Sequence, residues 1–227
     1  MAPPLAVREL GRLSYADALA LQDEVVTARR RGACPDTLLL LEHPPVVTLG
    51  RSARGEHLLA TAEALAARGV TVHEAARGGD VTYHAPGQLV GYPIVDLAAR
   101  GKRDVHAWLR TLEELVGEAL VALGVRWRRV PGWTGVFVDE RRPGPPGMVG
   151  RPRKIASIGV GVRGWVTFHG FALNVDLDLA GFDAIVPCGL HAVEMTSIAR
   201  ELGPRAPSDL SDRTRAAVRD AFVAHFS

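Results

Sequence analysis

The 227-residue chain has only two cysteines, Cys34 and Cys188. That excludes a disulfide scaffold and points to a reducing compartment. A formal net charge of +2 gives no global case for nucleic-acid or membrane binding. Arginines cluster locally, at 126–129 and 141–153, as solvated faces or as a surface for an acidic partner protein. The aliphatic run Leu38–Leu41 is far shorter than the ~20 residues of a membrane-spanning helix. Met1 to Pro4 show no basic region followed by an apolar core, so no signal peptide is read there. The P-loop pattern G-x-x-x-x-G-K-[ST] and the nucleophile elbow G-x-S-x-G are both missing. No C-x-x-C or H-x-x-x-H pair exists, and a zinc site from Cys188, His191 and His84 or His169 would lack the usual ligand spacing. The expectation is a soluble cytoplasmic protein with no metal and no cofactor.

Hydrophobic residues make up 47% and charged residues 23% of the chain, as in ordinary globular proteins. The length suits one large domain, 1–227, with about 187–227 as a small helical portion. Strands are expected at 5–10, 37–42, 46–49, 70–74, 81–84, 88–97, 125–130, 134–139, 154–163 and 165–175. Pro93 inside one of them suggests an edge strand or a bulge. Helices are expected from Ser14 to about residue 31, at 57–67, from the Asp104 cap to Gly124, at 193–202 and from the Ser208 cap to about 226. Val105, Trp108, Leu109, Leu112, Leu115, Val116, Ala119, Leu120 and Leu123 recur at helical spacing and are read as core. Residues 140–152, rich in proline and glycine, read as an irregular loop. Strands in the middle with helices around them predict an α/β (α+β) domain on a mixed central sheet.

Chemistry concentrates in a few places. Arg77-Gly78-Gly79-Asp80-Val81-Thr82-Tyr83-His84-Ala85-Pro86-Gly87-Gln88 reads as a tight turn, a short strand and a second turn. Its paired glycines let backbone approach a ligand, and Thr82, Tyr83 and His84 set polar groups beside them. Cys188, between Pro187 and Gly189, sits in a turn that can expose a thiol; Cys34 reads as a small buried hydrophobe. Lys154 opens the apolar strand Lys154-Ile155-Ala156-Ser157-Ile158-Gly159, and an inward-turned amine there would stabilise a nearby thiolate. Phe168-His169-Gly170-Phe171-Ala172-Leu173-Asn174 carries a mid-strand glycine, a mark of a bulge or close approach, and His169 alone reads as structural.

Taken in order, Arg-Gly-Gly-x-x-Thr-Tyr-His, Pro-Gly-Gln, Lys-Ile-Ala-Ser-Ile-Gly, Phe-His-Gly-Phe-Ala-Leu-Asn and Pro-Cys-Gly resemble the lipoyl(octanoyl) transferase family, within the biotin- and lipoate-protein ligase superfamily. The resemblance spans about residues 5–202. It implies a biotin/lipoate-protein ligase-like fold and transfer of an octanoyl group from octanoyl-acyl carrier protein to a lysine of a lipoyl domain. The acceptors it implies are lipoyl domains of 2-oxoacid dehydrogenase complexes and the glycine cleavage H protein. It also implies a thioester on Cys188, with Lys154 lowering the thiol pKa. The acyl-binding segments would be Arg77 to His84, with Gly78, Gly79, Asp80, Val81, Thr82 and Tyr83; then Ser157, Ile158 and Gly159; then Gly170, Phe171 and Ala172. Lys154 or His84 would take the acceptor's proton, and backbone N–H groups near Cys188 or Gly78-Gly79 would hold the oxyanion. The chain departs from the family pattern at Ala85, where glycine is usual, and in the length of the loop before Lys154. An ATP-dependent lipoate or biotin ligase of the same fold, and a non-catalytic acyl- or carrier-binding protein, stand as alternatives; Pro187-Cys188-Gly189 argues against the former.

Overall fold

The structure, a computed structural model, describes residues 5–138, 151–189 and 193–227. The strands in chain order are β1 (Ala6–Arg12), β2 (Thr37–Glu42), β3 (Val46–Leu49), β4 (Thr71–Glu74), β5 (Val81–His84), β6 (Gln88–Ile94), β7 (Trp127–Arg128), β8 (Val136–Val138), β9 (Arg153–Arg163), β10 (Val166–Asn174) and β11 (Glu194–Met195). The α-helices are α1 (Tyr15–Arg30), α2 (Ala62–Ala67), α3 (Val105–Ala122), α4 (Ile198–Leu202) and α5 (Leu210–Phe226). The large sheet runs β1-β2-β6-β10-β9-β8-β7, with β11 beside β9, and a smaller one runs β4-β3-β5. Both are mixed: β1 with β2, β9 with β11 and β3 with β4 are parallel, while β2, β6, β10 and β9 follow one another antiparallel. The expected mixed central sheet is there, joined by a second small one.

The aliphatic run in β2 explains the layering. Successive side chains of a strand point to opposite faces. Leu38 and Leu40 pack with α3 and α5, while Leu39 and Leu41 pack with α1, so the strand is buried on both sides. α1 starts at Ser14, whose Oγ accepts from the Asp17 N–H at 3.1 Å, and α3 starts at Asp104, which accepts from Ala107 N–H at 3.0 Å. Of the predicted apolar face of α3, Trp108, Leu112, Leu115, Val116, Ala119 and Leu120 are buried, while Val105, Leu109 and Leu123 at its margins are only partly buried. α5 closes the same core, with Phe222 stacked on Phe171 at 5.6 Å and Phe226 edge-on to Trp108 at 6.2 Å.

Four expectations change. The helix expected over 57–67 is a single 3-10 turn, Gly55–His57, and then the short α2. Between them Leu59 and Ala60 donate to the Ala184 carbonyl, a tertiary pairing that outweighs local helix propensity. The helix expected over 193–202 begins only at Ile198, after the Ser197 cap, because Glu194 and Met195 pair with β9 instead. The strand holding Pro93 is central, between β2 and β10, not an edge. Its missing N–H is tolerated because the β6–β10 ladder covers only Gln88 to Gly91, and the bare Gly170 leaves room for the proline ring. Finally, the N-cap position of α5 is Asp209, one residue later than expected, and its side chain makes no capping bond. The Gly159-Val160-Gly161-Val162-Arg163-Gly164 letters match a dinucleotide fingerprint, yet they lie in the β9–β10 hairpin, which lacks the strand-to-helix turn that binds phosphate. The irregular loop expected over 140–152 lies outside the described residues except for its last two.

Ala85 does not disturb its turn. Positive φ falls on Gly87, at +84°, and not on Ala85, which is buried among Val47, Val81 and Leu177. Replacing Ala85 by glycine should therefore lower stability by about 0.4–1 kcal/mol, by giving the unfolded chain more freedom. Urea denaturation measures this; a gain in stability would show instead that the alanine is strained.

Candidate active site

The thiol and the amine that sequence pattern singled out meet. Lys154 Nζ lies 3.1 Å from Cys188 Sγ and donates to it; Ser157 Oγ is 3.9 Å from the same sulfur. Cys188 sits at φ +55° in the 3-10 turn Pro187–Gly189, a conformation that costs a non-glycine residue about 1–3 kcal/mol. The remainder of the expected turn, Leu190 and His191, lies outside the described residues. Burial pushes the Cys188 thiol up, but the charge and hydrogen bond of Lys154, the Ser157 hydroxyl and the charge of Arg77 together outweigh it. The net pKa is below the ordinary thiol value.

A local irregularity puts Lys154 and Ser157 on one side. Residues three apart in a regular strand face opposite ways. Here Phe137 pairs with Lys154 and Val136 with Ala156, so Ile155 is an extra residue on β9. This bulge turns Lys154 to the side of Ser157. The lysine is 1% exposed, and its ammonium also donates to the Thr134 carbonyl at 3.1 Å and lies 5.7 Å from the Phe137 ring centre. Buried Glu113 of α3 holds the Thr134–Gly135 segment by accepting from the Gly135 N–H at 3.0 Å, while Arg110 and Arg129 neutralise the same carboxylate. Gly135, at φ +132°, must be glycine here: a Cβ would stand 2.6 Å from Lys154 Cε. Arg129, one of the clustered arginines, is thus bound into the structure behind the lysine.

Around this pair lies a slot between the two sheets. Ser157, Ile158, Gly159, Gly170, Phe171 and Ala172 all line it, as do Arg77, Gly79, Asp80, Thr82 and His84. Three expected residues, Gly78, Val81 and Tyr83, do not. Val81 and Tyr83 point to the other face of β5, where Tyr83 packs edge-on to Phe182 at 5.6 Å. The period of two along the strand decides this. Gly78 is tied down, its N–H bonded to the Val160 carbonyl at 2.8 Å, and Gly189 N–H is bonded to Val186 O at 3.0 Å. Neither N–H is free for an oxyanion. Arg77 is buried and donates to Thr48 O and Oγ1, both at 2.8 Å, and to Gly78 O. Asp80 accepts from Val81 N–H at 2.7 Å and from His57 Nδ1 at 2.5 Å, just behind Gly189.

His84 enters the slot with both ring nitrogens engaged. Its Nδ1 donates to Gln88 Oε1 at 2.7 Å, and its Nε2 lies 3.4 Å from Thr48 Oγ1. Burial, aided by the charges of His43, Arg77 and His169, pushes its pKa down to about 3, so it is neutral. Gln88 in turn donates to Asn174 Oδ1, and Asn174 donates to the Thr196 carbonyl, which ties the strand of His84 to the segment beside Lys154. Four more slot residues escaped sequence reasoning: Tyr15, Val90, Tyr92 and His169. Tyr92 O–H donates to His43 Nε2 at 2.7 Å, and His43 Nδ1 donates to Leu13 O at 2.9 Å. Burial, with the charges of Arg77, Arg51 and His43, pushes His169 down to about 3, and burial pushes Tyr15 up to about 12. Only His169 carried a usable signal, its place beside Gly170. Cys34 stands apart, donating to the Val25 carbonyl at 3.7 Å; expected as a buried hydrophobe, it is only partly buried against the α1 core. Among the described residues, no three His, Cys, Asp or Glu side chains converge as metal ligands; His191 lies outside them. Nor is any described helix long and apolar enough to cross a membrane.

Residues 14–227 match the lipoyl protein ligase A/B catalytic domain. The chain is 48% identical over 203 residues to a protein of Geobacter metallireducens named octanoyltransferase, covering 89% of this chain and 86% of that one. It is 50% identical over 206 residues to an octanoyltransferase of Rubrobacter xylanophilus, with the same coverage of 89% and 86%. Among solved structures, a bipartite lipoate protein ligase from Thermoplasma acidophilum superposes with a TM-score of 0.69 at 18% identity, over 100% of this chain and 85% of that one. A lipoate-protein ligase A solved with ATP bound gives 0.68 at 19%, over 99% and 86%. At these identities the two structures show a shared fold.

The lowered thiol pKa has a testable sign. Alkylation of Cys188 by iodoacetamide should rise with pH and level off above a midpoint below 9, the ordinary thiol value. Lys154→Met should move that midpoint upward by about 1–3 pH units. Gly135→Ala, which displaces the ammonium without touching the thiol, should move it the same way by less. Intact-mass kinetics across pH checks both, and an unmoved midpoint in Lys154→Met would remove the lysine from thiol activation.

Proposed function

The chain belongs to the lipoyl protein ligase A/B catalytic family, and on that premise we propose that it transfers an octanoyl group by way of a thioester on Cys188. Octanoyl transfer in lipoate biosynthesis, an acyltransferase reaction, is its activity. The observation that carries the covalent route is the contact of the buried Lys154 with the partly buried Cys188, which lowers the thiol pKa. The donor in this reading is octanoyl-acyl carrier protein. The acceptors are lysines of lipoyl domains in 2-oxoacid dehydrogenase complexes and of the glycine cleavage H protein, and the setting is the cytoplasm.

The cycle starts from a thiolate at Cys188 and an ammonium at Lys154. The thiolate attacks the donor's thioester carbonyl, a C–Sγ bond forms, and the donor sulfur leaves with a proton from Lys154. One thioester replaces another, so this step is near neutral in energy. The acceptor amine then attacks the Cys188 thioester and gives its proton to the now neutral Lys154. The C–Sγ bond breaks, the thiolate returns, and formation of an amide from a thioester drives the step forward. Lys154 suits both proton transfers because it already touches the sulfur. His84 suits neither, since its nitrogens are spent on Gln88 and Thr48; it serves as a neutral wall of the slot.

The acyl chain would run along Ile158, Gly159, Gly170, Phe171 and Ala172, whose apolar side chains and bare backbone line the slot. Removing its seven CH₂ and CH₃ groups from water is worth about 5 kcal/mol at ~0.8 kcal/mol each, which favours octanoyl over acetyl. The thioester itself can be trapped. Incubation with octanoyl-carrier protein should add one octanoyl group to the intact mass, labile to hydroxylamine and missing in Cys188→Ala. Active protein with no such adduct under single-turnover conditions would exclude the covalent intermediate.

A further inference from the structure

Behind the slot lies a second cleft, of about 400 Å³, bounded by α1. The slot's own free space is about 40 Å³. His169 is the one described residue that lines both spaces. Its backbone is at φ +55°, a region that disfavours any side chain, and Gln22 Oε1 holds it there by accepting from the His169 N–H at 2.7 Å. The ring is 2% exposed, packs edge-on to Tyr92 at 5.9 Å and tilted against Phe168 at 5.2 Å, and its Nε2 has no hydrogen-bond partner. Shape contacts hold this ring, not a polar bond. Leu19, Val26 and Phe168 line the cleft beyond together with the buried, polar Gln22, and Ala20, Asp23, Glu74 and Arg163 are among its exposed members.

We propose that the His169 imidazole is the partition between the acyl slot and the α1 cleft, so that it sets the longest acyl chain the enzyme takes. This rests on the octanoyl-transfer reading. With the ring removed, the slot would continue into the cleft, and an acyl chain of twelve carbons would lay its far end along Leu19, Val26 and Phe168.

The test is the ratio of kcat/KM for dodecanoyl- over octanoyl-carrier protein, with a lipoyl domain as acceptor. In His169→Gly that ratio should rise about tenfold or more, since a few methylenes in an apolar site discriminate by this order. Glycine also suits φ +55°, so the variant keeps the backbone. His169→Asn, smaller than histidine and tolerant of the same φ, should give an intermediate rise. Adding Ala20→Trp, which fills the cleft from the exposed side of α1, should reverse the gain in the glycine variant while leaving octanoyl transfer unchanged. Binding of free dodecanoate, followed by native mass spectrometry, reads the opening without turnover. A wild-type ratio in both folded variants, with no gain in dodecanoate binding, would overturn the partition. Unfolding of both variants would overturn it too, since the ring would then be a structural prop. Wild-type protein that moves no octanoyl group while His169→Gly still gains dodecanoate would sink the octanoyl-transfer reading and leave the partition standing.

Discussion

A lysine ammonium with 1% exposure is the constraint on which this structure turns. A charge taken out of water is costly unless it is paired and hydrogen-bonded. Lys154 meets that demand with the Thr134 carbonyl, the face of Phe137 and the sulfur of Cys188. Thr134 and Phe137 come from one segment and Cys188 from another, and the first two are themselves held. Glu113 of α3 pins Gly135 and therefore Thr134, β8 sets Phe137 opposite Lys154, and β11 pairs Met195 with the same residue. The same arrangement that makes the lysine affordable lowers the pKa of the thiol, so stability and reactivity share one set of contacts.

The walls of the slot solve a related problem. They carry histidines and tyrosines yet line a path for an apolar chain. Burial keeps His43, His84 and His169 uncharged, and a directed set of hydrogen bonds absorbs most of their polar atoms. Leu13 O takes the proton of His43 Nδ1, Tyr92 donates to its Nε2, and Gln88 orients His84. Arg77 adds a positive charge that favours the thiolate and disfavours protonation of His84 and His169. One buried guanidinium thus acts in the same sense on the nucleophile and on the neutrality of its surroundings.

Much of this was legible from local pattern. The Leu38–Leu41 run, the Ser14 and Asp104 caps and the period of α3 each specify an element through interactions within a few residues, and each stands where it was expected. The expectations that changed are those where a distant partner wins. Ala184 unwinds the start of the expected helix at 57–67, and β9 draws Glu194 and Met195 into a strand. Alternation along β5 would have separated Thr82 and His84 from Val81 and Tyr83, but which pair faced the slot depended on which side the second sheet lay.

The sequence by itself determined most of the elements, the family, and the identities of Cys188 and Lys154 as the pair to watch. Those follow from short-range geometry and from residue types in a fixed order. Only the tertiary structure decided that Lys154 and Ser157 face the same sulfur, because a bulge at Ile155 reverses the alternation that a three-residue spacing implies. It also decided that Tyr15, Tyr92 and His169 close the slot, since they come from α1, β6 and β10. A bulge and a three-element wall are products of strand register and sheet packing, and both depend on residues far apart in the chain.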